Sequence, residues 1–232
     1  MTTISNNLQA VRNRIAAACA VAGRPVDAVH LLAVSKTQSG ACVREAAACG
    51  QQAFGENYAQ EGAEKIAELA DLNLEWHFIG PLQSNKTRVV AENFAWVHSL
   101  ERLKTAERLA AQRPIHLPPL QVCIQVNVSG EASKSGCAPA AASALAHAIT
   151  ALPRLRLRGL MAIPAVTDDV VLQRQNFALL SALFAQLNTE GLALDTLSMG
   201  MSHDLEAAIL AGATIVRVGT AIFGERQIRV FN

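Results

Sequence analysis

Lys36 closes an apolar run, Leu31-Leu32-Ala33-Val34-Ser35-Lys36, and of the five lysines in the chain it is the one that directly ends a buried-type strand. A sheet around such a strand end desolvates the amine. Desolvation lowers a lysine pKa, and the neutral amine is the form that attacks an aldehyde. Lys65 stands among Glu61, Glu64 and Glu68, and Lys104 between Glu101 and Glu107, so both read as ion-paired surface helix residues. Lys86 and Lys134 fall in polar loops. The competing reading of Lys36 is a strand-end lysine that snorkels to solvent.

Two turns near the C-terminus suit an anion. Ser198-Met199-Gly200-Met201-Ser202 precedes a helical stretch, with Ser202 placed to cap it, and Val216-Arg217-Val218-Gly219-Thr220 precedes another helical turn. Glycine lets backbone approach a ligand closely, Ser and Thr hydroxyls donate, and the N–H groups of a helix start attract negative charge. A capping serine and a tight turn account for either loop taken alone. Asp204 and Glu206 fall just after Ser202 and oppose an anion there. The backbone donation is therefore expected from Gly219 and Thr220, with Ser202 adding its hydroxyl. Arg217 lies inside the strand Ile215-Val-Arg-Val218 and shares a face with Gly219. A charge in such a strand is costly unless it is paired or functional, which leaves a structural ion pair or a ligand contact.

A strand-end lysine, a phosphate cradle and a strand arginine together suggest pyridoxal 5′-phosphate. Its aldehyde would bind Lys36 as a Schiff base, and Arg217 would face the ring nitrogen. A guanidinium only donates, so the nitrogen would stay unprotonated and the ring would be a weak electron sink.

The elements that must position these residues alternate along nearly the whole chain. Strands are predicted over Leu31–Ser35, Gln52–Gly55, Glu75–Ile79, Ala95–Ser99, Gln121–Val128, Leu157–Ile163, Thr196–Met199 and Thr214–Val218. Helical stretches fall between them, over Ser39–Ala48, Ala59–Ala70, Ser84–Asn93, Glu101–Gln112, Ala138–Ala151, Val170–Thr189 and His203–Ala211. Alternation of this kind implies parallel strands joined by crossover helices. Eight strands in 232 residues fit a single closed (β/α)8 TIM-type barrel covering 1–232, whose sites lie at the C-terminal ends of the strands. An open doubly wound sheet is the alternative, but its usual glycine fingerprint is missing after the first strand. Ile4, Leu8, Val11, Ile15 and Ala18 recur at helical spacing, so residues 1–24 read as an extra N-terminal helix packed on the barrel. Arg12 and Arg14 before an alanine-rich stretch give a faint look of a targeting segment, which that apolar stripe opposes.

Composition removes other classes. The net charge is +1, which gives no basic field for nucleic acid or an anionic membrane, and no apolar run is long enough to span one. Aromatic residues make up 4% of the chain, with Tyr58 the only tyrosine, so stacking platforms for bases are not expected. Five cysteines without CxxC spacing argue against structural zinc or a disulfide framework and fit the cytoplasm.

Several motifs, in order along the chain, carry a family likeness: Val34-Ser-Lys-Thr37, Phe54-Gly-Glu-Asn-Tyr58, Trp76-His-Phe-Ile-Gly-Pro-Leu-Gln-Ser-Asn-Lys86, Ser133-Lys-Ser-Gly136, Arg158-Gly-Leu-Met-Ala-Ile-Pro164, Ser198-Met-Gly-Met-Ser202 and Val218-Gly-Thr-Ala-Ile-Phe-Gly224. The chain resembles the YggS/PROSC family of pyridoxal phosphate homeostasis proteins. The resemblance implies a barrel similar to the N-terminal domain of alanine racemase, with the cofactor covalently on Lys36. It implies Ser202, Gly219 and Thr220 around the phosphate, Arg217 at the ring nitrogen, and Asn57, His77 and Met161 nearby. It implies cofactor storage, delivery or buffering rather than robust catalysis, with pyridoxal-phosphate-dependent apo-enzymes as partners, and a monomer is expected. His203 departs from the family pattern, where many members carry an acid or a small residue.

Two enzymes on the same barrel are the rivals. A racemase needs a second acid/base on the far face of the ring, and in alanine racemase a tyrosine associated with an added β-domain and a partner subunit supplies it. No such domain is evident in this sequence, and Tyr58 is expected to point away. A barrel lyase or aldolase acting through Lys36 on a sugar phosphate would be colourless, whereas the cofactor-bound protein would be yellow.

Overall fold

Eight short strands carry most of the branched and aromatic apolar residues: β1 (His30–Val34), β2 (Ala53–Glu56), β3 (Glu75–Phe78), β4 (Trp96–Leu100), β5 (Leu120–Gln125), β6 (Leu155–Met161), β7 (Thr196–Ser198) and β8 (Ile215–Val218). In the computed structural model, which describes residues 3–131, 134–165, 167 and 169–224, each strand pairs in parallel with the next. Ser133 and the ends of the 1–232 span lie outside the described residues. Strand β8 pairs back onto β1, with Val216 opposite Leu31 and Arg217 opposite Leu32, and the sheet closes. That pairing establishes the (β/α)8 barrel and sets the open sheet aside.

Strand alternation divides the buried residues into two sets. Ala33, Phe54, Trp76, Phe78, Val97, Val122, Leu160, Val216 and Val218 belong to the main core, shared with the surrounding helices. The opposite face forms small separate clusters, Leu32 with Ile79 and Ile215, and Trp96 with Cys123 and Met161. The same alternation puts the buried polar residues His77, His98, Ser198 and Arg217 on this inner face. Barrel interiors are normally filled by branched apolar side chains, so a polar interior is the first unusual feature of the fold.

Helix α1 (Ile4–Val21) buries Leu8, Val11, Ile15, Ala18 and Cys19, the stripe its spacing predicts. It packs on α2 (Gly40–Ala48), α8 (Leu205–Leu210) and α9 (Thr220–Phe223), and Asn7 donates to the Ile222 carbonyl at 2.8 Å. The outer ring is completed by α3 (Ala59–Glu68), α4 (Thr87–Asn93), α5 (Leu103–Gln112), α6 (Ala142–Thr150) and α7 (Val170–Thr189). Asp169 caps α7 by accepting from the Val171 and Leu172 amides, and Phe177, Leu180, Leu183 and Leu187 form its buried stripe.

Several helices begin later than expected. Ser84–Lys86 and Pro139–Ala141 are tight 3₁₀ turns leading into α4 and α6. Helix α8 begins at Leu205 rather than His203, because Asp204 turns back to accept from the Met201 amide at 2.5 Å. Among the described residues no helix is long and apolar enough to cross a membrane.

Candidate functional site

A cleft of about 210 Å³ opens at the C-terminal mouth of the barrel. Lys36, Asn57, Ser202, His203, Arg217, Gly219 and Thr220 line it, with Val34, Ile79, Ile163 and Met201 as apolar wall. Lys36 and Gly219, 183 positions apart in sequence, meet here because β8 lies beside β1.

Lys36 sits in a turn built with strain. The chain leaves β1 at Val34, and the Gln38 amide donates back to the Ser35 carbonyl at 3.0 Å. Thr37 is held at φ +64°, a left-handed conformation that is costly for a β-branched residue. A buried ionic cluster holds this geometry. The Lys65 ammonium donates to the Ser35 carbonyl at 2.9 Å, to Glu56 Oε1 at 2.7 Å and to Glu61 Oε1 at 3.0 Å. Ser35 Oγ donates to Glu56 Oε1 at 2.6 Å, and the Thr37 amide donates to Glu61 Oε1 at 2.6 Å. Both neighbours of Lys36 are therefore fixed from α3 and β2. Burial raises the Glu56 carboxyl above the ordinary carboxylate range, against the opposing pull of Lys65.

This corrects the sequence expectation for Lys65. It is ion-paired, but its side chain is only 6% exposed, so it is a buried support rather than a surface residue. The signal was present: Ala59, Gly62 and Lys65 recur at three-residue spacing, and all three are buried on the face of α3 that meets the barrel.

Arg217 lies at the floor of the cleft. Its Nη1 donates to the Ser198 carbonyl at 2.6 Å and to Ser198 Oγ at 2.8 Å, and its Nη2 donates to the Ala162 carbonyl at 2.8 Å. Burial pulls the guanidinium down to about 10, still charged at neutral pH. These partners are neutral oxygens, so among the described residues the structural ion pair within the barrel is not what holds it.

The two glycine turns stand side by side. Gly200 has φ +95°, and a Cβ there would lie 2.6 Å from the Ala208 Cβ, so the turn into α8 needs glycine. A Cβ at Gly219 would crowd the Val34 carbonyl at 3.1 Å, which keeps β8 close against β1. Ser202 is not the helix cap that the sequence suggested, since two residues separate it from α8. The acids expected to repel an anion are both engaged. Asp204 takes the Met201 amide, and Glu206 forms a pair of hydrogen bonds with Arg14 of α1 at 2.7 and 2.9 Å. Arg14 Nη2 also donates to the Ser202 carbonyl at 3.0 Å. Sequence reading assigned Arg14 to no site.

Two expected residues are not brought to the cleft. His77 lies deeper in the barrel, bonded to Glu75 and His98 at 2.8 Å each, and opens instead on a larger cavity of about 1120 Å³ at the N-terminal ends of the strands. Met161 is fully buried against Trp96 and Cys123. Alternation explains both: each points inward from the middle or end of its strand, below the loops that form the cleft. The larger cavity is lined by mixed charges, among them Arg12, Glu75, Arg158 and Asp195, and Lys36 is not among its residues. The smaller cleft is the better site because it holds the amine, the guanidinium and both glycine turns. Tyr58 is 56% exposed and is not among the residues lining the cleft.

The cleft fits pyridoxal phosphate on chemical grounds. It presents Lys36 and Arg217 to an anionic ligand with the hydroxyls of Ser202 and Thr220 beside them. The Asn57 side-chain oxygen is buried with no hydrogen-bond partner among the described residues, as expected of a group awaiting a ligand or ordered water.

Residues 6–227 match the family model described as alanine racemase, N-terminal domain. The chain is 62% identical over 227 residues to a pyridoxal phosphate homeostasis protein of Pseudomonas aeruginosa, covering 98% of this chain and 97% of that one. It is 54% identical over 230 residues to a protein of the same name from Escherichia coli K12, covering 98% of each. A solved structure of PipY from Synechococcus elongatus, described with PLP bound, superposes with a TM-score of 0.84 at 37% identity over 96% of this chain and 100% of that one.

Proposed function

We propose that this chain, which belongs to the family of pyridoxal phosphate homeostasis proteins, holds pyridoxal 5′-phosphate at the cleft and serves to store, buffer or deliver it. The observation that carries this reading is the convergence of Lys36, Arg217, Ser202, Gly219 and Thr220 on one cleft at the C-terminal mouth. Lys36 is the covalent anchor for the aldehyde, and its pinned turn fixes where the amine points. The Ser202 and Thr220 hydroxyls and the backbone at Gly219 take the phosphate. Arg14 neutralises Glu206 nearby, which removes a repulsion from that end of the cleft.

When bound, the cofactor supplies an aldehyde for amines and an electron-withdrawing ring. Arg217 has only donors to offer that ring, so it would hold the ring nitrogen by a hydrogen bond and supply no carboxylate to keep it protonated. Asn57 completes the polar contacts. Catalysis of racemisation would need a second acid/base, and Tyr58 stands away from the cleft. The protein acts as a carrier rather than an enzyme, in the cytoplasm, as a monomer, with apo-enzymes that need the cofactor as recipients.

Borohydride reduction of the yellow, cofactor-loaded protein followed by peptide mapping tests this. The pyridoxyl adduct is expected on Lys36. An adduct on Lys86 or Lys134 with Lys36 unmodified rejects the site.

A further inference from the structure

Arg217 is one end of a hydrogen-bonded chain that crosses the barrel interior. Its Nη1 reaches Ser198 Oγ at 2.8 Å, and the same oxygen lies 2.8 Å from His98 Nδ1. His98 Nε2 lies 2.8 Å from His77 Nδ1, and His77 Nε2 lies 2.8 Å from Glu75 Oε1. Strands β8, β7, β4 and β3 each contribute. The four inner residues are buried, whereas the Glu75 side chain is 52% exposed at the opposite mouth.

The chain has a direction. A carboxylate only accepts, so His77 must carry its proton on Nε2. Burial lowers the pKa of His77 and pushes that of His98 well down, His98 also lying near His77 and Arg217, so both rings are neutral. A neutral His77 then accepts at Nδ1, which requires His98 to donate from Nε2. A neutral His98 accepts at Nδ1, which requires Ser198 to donate its hydroxyl proton. Ser198 Oγ is left to accept, and Arg217 can only donate. The Glu75 end sets this order, and Arg217, which can only donate, is compatible with it at the other end. The His77 ring is stacked on Trp96 with centroids 5.2 Å apart and planes 5° apart, and the Arg158 guanidinium lies over Trp96 at 4.8 Å. The other ionisable groups near the chain are His30 beside His77, and Cys123 and Asp204 beside Arg217.

We propose that Glu75, His77, His98 and Ser198 are positioning residues for Arg217, a single directed line of donors through which the N-terminal mouth of the barrel sets how Arg217 meets its ligand at the C-terminal mouth. Chains in which every donor points one way between a cation and an anion strengthen along their length, and each link fixes the orientation of the next. No proton is transferred; the line holds a tautomer and a guanidinium orientation. The proposal rests on the reading of Arg217 as the partner of the cofactor ring.

Two measurements test it. Long-range ¹⁵N–¹H correlation on the cofactor-free protein near neutral pH is expected to show both His77 and His98 as neutral rings protonated on Nε2. An Nδ1–H tautomer or an imidazolium at either ring overturns the proposal. The second compares the visible band and the dissociation constant of bound pyridoxal phosphate across variants. Arg217→Met sets the size and direction of the spectral shift. Glu75→Ala, at an exposed position that spares the fold, and Ser198→Ala are expected to shift the band the same way and weaken retention about tenfold, one hydrogen bond's worth. Glu75→Gln, which keeps an acceptor for His77, is expected to stay within about twofold of the wild type. If Arg217→Met moves the band and Glu75→Ala and Ser198→Ala do not, the positioning role falls and the cofactor reading stands. If the wild type takes no cofactor on Lys36, the function reading falls, the positioning role falls with it, and the tautomers alone decide whether the chain is directed.

Discussion

Replacing Lys65 by Met tests whether the turn that carries Lys36 is held by the buried ionic cluster. The substitution keeps the length and apolar stem of the side chain and removes three hydrogen bonds, to the Ser35 carbonyl, Glu56 and Glu61. Glu56 is then buried without its cation, and its second carboxylate oxygen already lacks a partner among the described residues. Removing one member of a buried pair costs about 3–5 kcal/mol. The cost should depend on pH, and the sign follows from Glu56. Its folded pKa is raised by burial, and loss of Lys65 removes the main opposing pull and raises it further. An acid whose folded pKa lies above its unfolded value stabilises the fold when protonated, fully so below the unfolded value of about 4.3, and loses that contribution as pH rises through the folded pKa. Urea unfolding should therefore show the full penalty near neutral pH and a smaller one near about pH 5, as Glu56 takes up a proton. Adding Glu56→Gln to Lys65→Met should recover much of the loss, a coupling that a double-mutant cycle measures. A penalty under about 1 kcal/mol at neutral pH, the range of an exposed pair, would refute the reasoning. So would a penalty equal at both pH values.

Other outcomes follow from single features. Ser202→Ala and Thr220→Ala are each expected to weaken cofactor retention in equilibrium dialysis by about 1.5–3 kcal/mol, with unfolding unchanged, because each removes a hydrogen bond to a charged acceptor. Gly200→Ala should destabilise the barrel by about 1–3 kcal/mol in urea, since the new methyl meets Ala208 at 2.6 Å in a left-handed turn. Arg113→Ala should cost about 2–3 kcal/mol in thermal or urea unfolding, because Arg113 Nη1 caps the Ala91 and Phe94 carbonyls at the end of α4, both at 2.7 Å. His98 has a folded pKa well below its unfolded value of about 6.5, so its contribution is fully present above that value and is lost as pH falls below it, by up to about 1.4 kcal/mol per pH unit. A pH series of unfolding free energies should show that slope in the wild type and a shallower one in His98→Asn.

The eight strands were legible because each is a short apolar run flanked by turn residues, and parallel burial demands such runs. Helix starts were less legible. Ser84 and Ala138 carry helical composition, but the first turn there is 3₁₀, and propensity does not separate the two. The cleft residues Lys36, Ser202, Arg217, Gly219 and Thr220 were visible as chemistry at strand ends, and Asn57 through the family resemblance. What the sequence hid was depth. His77 falls between Trp76 and Phe78, whose outward packing turns it inward, whereas the family resemblance implied a place near the cofactor. Lys65 was hidden by its acidic neighbours, which mimic a solvated helix face, although the half-buried Glu61 is itself one of the groups that bind its buried ammonium. Arg14 was hidden because its role depends on where α1 packs, which no local pattern encodes.

Two networks of polar side chains lie under the cleft, and they share a physical form. One is the Lys65–Glu56–Glu61 cluster beneath the Lys36 turn, and the other is the line from Glu75 to Arg217. Neither is an economical way to stabilise a barrel. A buried ionic cluster of this kind can often be replaced by apolar residues of similar volume at no loss of stability, and branched apolar side chains fill most barrel interiors. What these groups supply instead is direction, because a hydrogen bond fixes an angle where an apolar contact does not. The two ends of the proposed ligand need different things fixed: the amine of Lys36 through its backbone, and the guanidinium of Arg217 through its donors. The backbone is fixed by carboxylates and an ammonium acting on Ser35 and Thr37, and the guanidinium by a hydroxyl and two carbonyls. Substitutions in the cleft should therefore alter occupancy with little effect on unfolding, whereas substitutions of the buried members beneath it should alter both together, and the exposed Glu75 should alter occupancy alone.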